Sequence, residues 1–317
     1  MLDETPENPR FRLTESAQFQ NSSERQPTKS PSLMKSFYEL GRFGKPIGNW
    51  FIYFPCIWGI AMAAPPGQLP DVYMLALFGV ICVVIRSSGC TINDVLDQKY
   101  DRLVERTKGR PLASGSITNC QALLFFGLQL LVLFVLLLQL GWYSVLIGFL
   151  LMVPATIYPL FKRFTYWPQL FLGLTVNWGA IMAYAATVGY FNLSITFPLY
   201  LAGVNWTVIY DTIYAYQDID DDIRIGVKST AILFGEKTKS YLVLFHTGMT
   251  VCFLTAGINA GAGWIYYLGT LCTLLHIANM IRNVDLKNPA SCLQTFGITR
   301  TSGLLFSLTI VLDNIFG

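Results

Sequence analysis

The sequence predicts an all-α, polytopic membrane protein built as a bundle of nine transmembrane helices. Three observations carry that prediction. The 317 residues are 53% hydrophobic and only 13% charged, with a mean hydropathy of +0.47; soluble domains carry about 25% charged residues. Nine apolar segments follow one another, each near the roughly 20 residues a bilayer requires. The connections between them also alternate in charge.

In chain order, residues 1–34 are rich in Pro, Ser, Glu, Gln and Asn and lack apolar periodicity, so they are expected to form a disordered cytoplasmic tail. A membrane domain over 35–317 follows. Its expected spans are 47–64, 72–93, 120–140, 142–161, 168–190, 196–217, 239–259, 263–282 and 299–316. Connections after the first, third, fifth and seventh spans contain no Lys or Arg. Those after the even-numbered spans hold Lys99, Arg102, Arg106, Lys108, Arg110, Lys162, Arg163, Arg224, Lys228, Lys237, Lys239 and Lys287. By the positive-inside rule the N-terminus is cytoplasmic. Thr118 and Gln121 are spaced as a capping box opening the third span. The acids Asp3, Glu4, Glu7, Glu15 and Glu24 are unlike a mitochondrial presequence.

Two acidic stretches stand out against this apolar background. In the first, Asn93, Asp97 and Asp101 recur every four residues and line one helical face, with Asp94 turned about 100° away. In the second, Asp211, Asp218 and Asp222 fall at i, i+7 and i+11, a single helical stripe, with Asp220 and Asp221 beside them. These stretches hold eight of the 19 Asp and Glu residues, so scattered surface charge does not explain them. Facing ladders of carboxylates suit Mg²⁺, a hard cation that keeps some waters and holds a phosphate. Basic loops next to the acids suit a metal-bound anion. Arg86, seven residues before Asn93, is the one Lys or Arg well inside a span, and an intramembrane cation is functional by default. Its expected partner is a diphosphate, with Asp94 or Asp97 as the purely structural alternative.

Other features imply little. The seven cysteines form no CxxC pair and read as small core residues. His246 and His276, far in sequence from both ladders, read as interhelical hydrogen-bonding groups. Gly226-Val-Lys228-Ser229 lacks the upstream glycine of a P-loop, which excludes ATP binding there. The sequon Asn192-Leu-Ser194 falls in a short loop on the far side of the membrane. No basic block with interleaved aromatics suggests nucleic acid, and no obligatory protein partner is evident.

Together, Asn93-Asp-x-x-Asp97-x-x-x-Asp101, Arg106-Thr-x-x-Arg110-Pro-Leu-x-x-Gly115 and Asp211-Thr-Ile-Tyr-Ala-x-Gln-Asp218-x-x-Asp221-Asp222 resemble the UbiA superfamily of intramembrane prenyltransferases. The 4-hydroxybenzoate polyprenyltransferase branch is the most similar. Gly41-Arg42-x-x-Lys45-Pro46 and Tyr158-Pro159-x-x-Lys162-Arg163 fit it as well. The resemblance covers about 35–317 and implies a nine-helix bundle of UbiA type with a cytoplasm-facing site. It implies Mg²⁺-dependent transfer of a prenyl group from prenyl diphosphate to an aromatic carbon. Metal binding is carried onto Asn93, Asp97, Asp101, Asp211, Asp218 and Asp222, with Asp97 and Asp218 indispensable for catalysis. Arg86, Arg110, Lys162, Arg163 and Lys228 are the expected diphosphate ligands, and Arg42 and Asn49 the expected acceptor ligands.

The tail argues for a eukaryotic specialised-metabolism enzyme of the endoplasmic reticulum, attaching farnesyl or a similar group to a polyketide-derived phenolic acid, as in meroterpenoid synthesis. A 4-hydroxybenzoate polyprenyltransferase of ubiquinone synthesis is the alternative within the family. A polytopic ion-coupled transporter is the alternative of another class. It is disfavoured because transporters bind near the midplane, whereas these acids cluster at span ends.

Overall fold

The computed structural model describes residues 32–317, so the expected tail lies almost entirely outside the described residues. The described chain is helical, with no strand among the described residues. Each expected span is found as a helix. The spans are α2 (Ile47–Met62), α3 (Val72–Asp101), α4 (Asn119–Leu138), α5 (Trp142–Phe164), the pair α6 (Pro168–Val176) and α7 (Gly179–Val188), α8 (Leu193–Ala215), α11 (Thr238–Ala260), α12 (Trp264–Asn283) and α13 (Pro289–Phe316). Three shorter α-helices, α1 (Leu33–Leu40), α9 (Ile219–Ile225) and α10 (Thr230–Phe234), and a 3-10 turn over Gly235–Lys237 lie outside them.

Burial sorts the spans into inner and outer. In the most apolar window of α8, 67% of residues are buried, against 22% for α4. α8 is therefore the central helix, and α4 presents Leu124, Leu128 and Leu131 outward, as a lipid-facing helix should. Around α8 an aromatic core joins Phe54 and Trp58 of α2, Trp206 of α8, Phe253 of α11 and Phe306 of α13. The Trp58 indole packs edge-on to Phe306 at 5.2 Å and donates to Ser307 Oγ, which satisfies the N–H that a buried Trp brings with it.

Local chemistry sets the boundaries. Asp71 accepts from Met74 N and opens α3, and Thr118 with Gln121 forms the full capping box of α4. Asn177 and Trp178 interrupt the fifth span. The Asn177 amide, fully buried, donates to Gly173 O and Thr207 Oγ1, replacing bonds lost at the break. Gly203 lets α8 come this close, because a Cβ there would overlap Asn177 Oδ1.

The second acidic stretch departs from expectation. It is not one helical stripe: α8 ends at Ala215, Asp218 sits in a turn at φ −116° and ψ 13°, and α9 restarts at Ile219. Asp211, Asp218 and Asp222 thus stand on a helix, a turn and a second helix. Asp218 precedes a first turn rich in acids, the arrangement a helix N-terminus favours over continuing the old helix. The first stretch behaves as expected, with α3 unbroken through Asp101.

Candidate active site

Both acidic stretches lie at the same end of the bundle, and basic side chains join them. From α3, Asp97 is 1% exposed and receives Lys162 Nζ at 2.5 Å and Arg163 Nη2 at 3.4 Å. Arg163 also donates to Leu96 O and lies over the Tyr100 ring. Asp101 receives Arg110 Nη1 at 2.8 Å. From the second stretch, Asp218 takes the Arg106 guanidinium on both oxygens. Lys162 acts electrostatically on Asp222 as well as pairing with Asp97, so it bridges the two stretches.

Asp94 is the carboxylate whose role spacing does not show. It is 1% exposed and holds Arg42 Nη2 at 2.7 Å from each oxygen, with Arg110 Nη1 at 3.1 Å. Arg42, expected to orient an acceptor, is committed to this pair. Its backbone is at φ +57°, a left-handed conformation uncommon for a non-glycine residue, and Nη1 donates back to Glu39 O. Asp94 thus shares Arg110 with Asp101 and takes Arg42 in addition, both arginines coming from flanking connections.

The 102–118 connection is docked on the end of α3. Arg102 Nε donates to Ala113 O, Gln98 Nε2 to Leu112 O and Thr107 Oγ1 to Asp101 O. Beneath it Leu40, Leu112, Ile117 and Ala122 make a small core, so the arginines of this connection are held over the acids by ordinary apolar burial.

The remaining expected residues divide. Lys228 has no ion pair with the acids; its ammonium donates to Phe164 O and lies 5.3 Å over the Tyr166 ring, a contact that joins two connections. His246 makes the expected interhelical bond, to Leu274 O. Arg86 pairs with neither Asp94 nor Asp97, since other cations fill both. Its guanidinium fills the space that a Gly48 side chain would need, and its Nε is buried with no partner. Asn49, the next residue, makes no side-chain hydrogen bond among the described residues. All seven cysteines are free thiols; the Cys56 and Cys82 sulfurs touch at 3.7 Å.

Whether Mg²⁺ fits is decided by the acids left over. Among the described residues the side chains of Asp211 and Asp222 have no hydrogen bond or ion pair, although Lys162 and Arg106 act on Asp222 from farther off, and the Asn93 side chain has no hydrogen bond either. Burial, reinforced by the Asp218 charge and opposed by Lys162 and Arg106, raises the Asp222 carboxyl to about 7. Unpaired hard oxygen donors of this kind fit Mg²⁺. No three acids form a ready-made cage among the described residues; Mg²⁺ commonly binds through one or two carboxylates plus substrate phosphates.

The fold and site define a class: a polytopic helical membrane protein with opposed carboxylates and a ring of cations at one end. Residues 52–308 match the model of the UbiA prenyltransferase family. The chain is 46% identical over 286 residues to the mitochondrial 4-hydroxybenzoate polyprenyltransferase of Bos taurus, covering 90% of this chain and 77% of that one. Among solved structures, a UbiA homologue from Aeropyrum pernix K1 superposes with a TM-score of 0.70 at 24% identity, over 84% of this chain and 98% of that one. A UbiA homologue from Archaeoglobus fulgidus bound to GPP and Mg²⁺ superposes with a TM-score of 0.65 at 17% identity, over 87% and 99%. The chain belongs to the UbiA prenyltransferase family.

Proposed function

We propose that this protein transfers a polyprenyl group from its diphosphate to a ring carbon of 4-hydroxybenzoate, in a mitochondrial membrane. The observation that carries this reading is the 46% identity, across 90% of the chain, to a relative of that name. The relative favours this over the specialised-metabolism reading and over the endoplasmic reticulum, which rest on acidic residues outside the described ones. Family membership leaves the transporter reading without support.

On this reading Asn93, Asp97, Asp101, Asp211, Asp218 and Asp222 hold Mg²⁺, which when bound neutralises charge on the departing diphosphate. Lys162, Arg163 and Arg110 exchange carboxylate oxygens for diphosphate oxygens as substrate binds. The C–O bond to diphosphate breaks and the leaving group keeps the electron pair. The acceptor ring forms the new C–C bond and then loses its ring proton. Near Asp211, Phe51, Tyr210, Tyr214 and Phe296 pack together, with Phe51 and Tyr210 stacked at 4.5 Å. Such a wall keeps water from the reactive carbon.

Arg86 lies two turns, roughly 10 Å, deeper along α3 than Asn93, beyond a diphosphate held at the acids. On this reading Arg86 meets the carboxylate of the acceptor rather than the diphosphate expected from the sequence, and Asn49 follows the Gly48 on which its guanidinium packs. Purified protein in bilayer discs, given Mg²⁺, a polyprenyl diphosphate and 4-hydroxybenzoate, tests the reading. A 3-prenylated product is expected; transfer only to polyketide-type phenolic acids would overturn it.

A further inference from the structure

We propose that Arg106 makes metal binding at the second acidic stretch conditional on the diphosphate: it occupies Asp218 in the substrate-free protein and releases it when diphosphate oxygens take the carboxylate's place. The inference rests on the metal and diphosphate reading above. Arg106 Nε lies 2.9 Å from both Asp218 oxygens, Nη2 lies 2.5 Å from one of them, and Nη1 is 3.4 Å from the Tyr214 hydroxyl. Both ligating oxygens are thus already engaged in a charge-assisted fork. The other acids of the second stretch beyond Asp218 are not masked in this way. Asp222 has no ion pair among the described residues, and Asp221 has only Arg224 at 3.3 Å, with a side chain 74% exposed.

The other arginine of the same connection behaves differently. Arg110 is shared between Asp94 and Asp101 and is 21% exposed, whereas Arg106 has a single carboxylate and is 41% exposed. With one carboxylate to leave and more of its side chain in the open, Arg106 is the freer of the two to change partner. It also feels Asp101, and Asp222 feels it, so it stands between the two stretches. Among the described residues, its bonds to Asp218 and Tyr214 are the hydrogen bonds that join the 102–118 connection to 214–229.

A guanidinium and a divalent cation compete for the same two oxygens, so Asp218 is a poor metal ligand while Arg106 holds it. A diphosphate matches the planar fork as well as a carboxylate does. Exchange keeps Arg106 paired and uncovers Asp218. Reciprocity then requires metal to strengthen diphosphate binding by the same factor.

The sign of one effect separates this coupling from a simple tie between connections or a simple diphosphate ligand. Mn²⁺ alone is titrated into the full-length protein in bilayer discs, with bound metal read by electron paramagnetic resonance. Arg106→Gln is expected to bind Mn²⁺ about fivefold or more tightly than the unsubstituted protein, and Arg106→Lys to fall between. In an Asp218→Asn background, Arg106→Gln is expected to make no difference. Retention of labelled inorganic pyrophosphate at saturating Mn²⁺ is expected to fall about tenfold in Arg106→Gln, a change opposite to that for the metal. Unchanged or weaker Mn²⁺ binding in Arg106→Gln overturns the coupling. If Arg106→Gln does not fold, an Arg106→Lys protein with unaltered Mn²⁺ affinity does the same. Absence of Mn²⁺ binding in every protein removes the metal reading itself, a distinct outcome.

Discussion

Asp211 and Asp222 are metal-ligand candidates whose side chains have no ion pair among the described residues, and Asp222 contributes to the response of the site to pH. With its carboxyl raised to about 7 by burial and by Asp218, Asp222 must lose a proton before it can bind a cation. Mn²⁺ affinity is therefore expected to rise with pH up to about 7 and to level off above it, by up to tenfold per unit on the acid side. Asp222→Asn should flatten that rise; a slope unchanged in this variant would remove Asp222 from the metal set. Asp97 and Asp218 are expected to be indispensable: Asp97→Asn or Asp218→Asn should lower transfer about a hundredfold or more, with the protein still inserted. Near-normal turnover by either variant would contradict the assignment. For Arg86→Ala the expected change is a raised KM for the acceptor with the donor KM little altered, and the reverse pattern would return Arg86 to the diphosphate. Most of these residues are legible from spacing, because acids that repeat every four residues at the end of an apolar span are costly there unless they bind something. Asp94 and Arg106 are not legible in the same way. Spacing tells which face of a helix a side chain occupies, but not which arginine from a distant connection lies opposite.

At the scale of elements, close approach decides what can change. Gly48 opens α2 directly beneath Arg86, and an added Cβ would overlap the guanidinium. Gly48→Ala should displace Arg86 and reproduce the acceptor defect of Arg86→Ala while the protein stays folded; a normal acceptor KM would show that Arg86 does not need this cradle. Gly203→Ala acts elsewhere. Its Cβ meets the buried Asn177 amide at the break between α6 and α7, so a stability loss of about 1–3 kcal/mol is expected, read as a lower melting temperature. The helices themselves are legible from apolar run length, and the α4 cap from Thr118 and Gln121. Two breaks are not. A buried Asn interrupting the fifth span, and the turn at Asp218, both depend on partners supplied by other helices and connections, such as Thr207 for Asn177.

At the scale of the molecule, the bundle brings two stretches separated by more than 100 residues to one end and lays basic connections across them. Composition and alternating charge are enough to foresee the nine spans, because hydrocarbon leaves the backbone few alternatives to helices. Acceptor and compartment are not set by such bulk constraints. They depend on a few cavity residues and on targeting, which is why tail composition points to specialised metabolism while the relatives carry the name mitochondrial 4-hydroxybenzoate polyprenyltransferase. The most direct test is transfer by protein-containing membranes supplied with Mg²⁺, a long-chain polyprenyl diphosphate and 4-hydroxybenzoate, with EDTA as the control. A prenylated 4-hydroxybenzoate that forms only with Mg²⁺ and disappears with EDTA is the predicted result. Transfer that persists in EDTA, or none to 4-hydroxybenzoate alongside transfer to another phenolic acid, would contradict it.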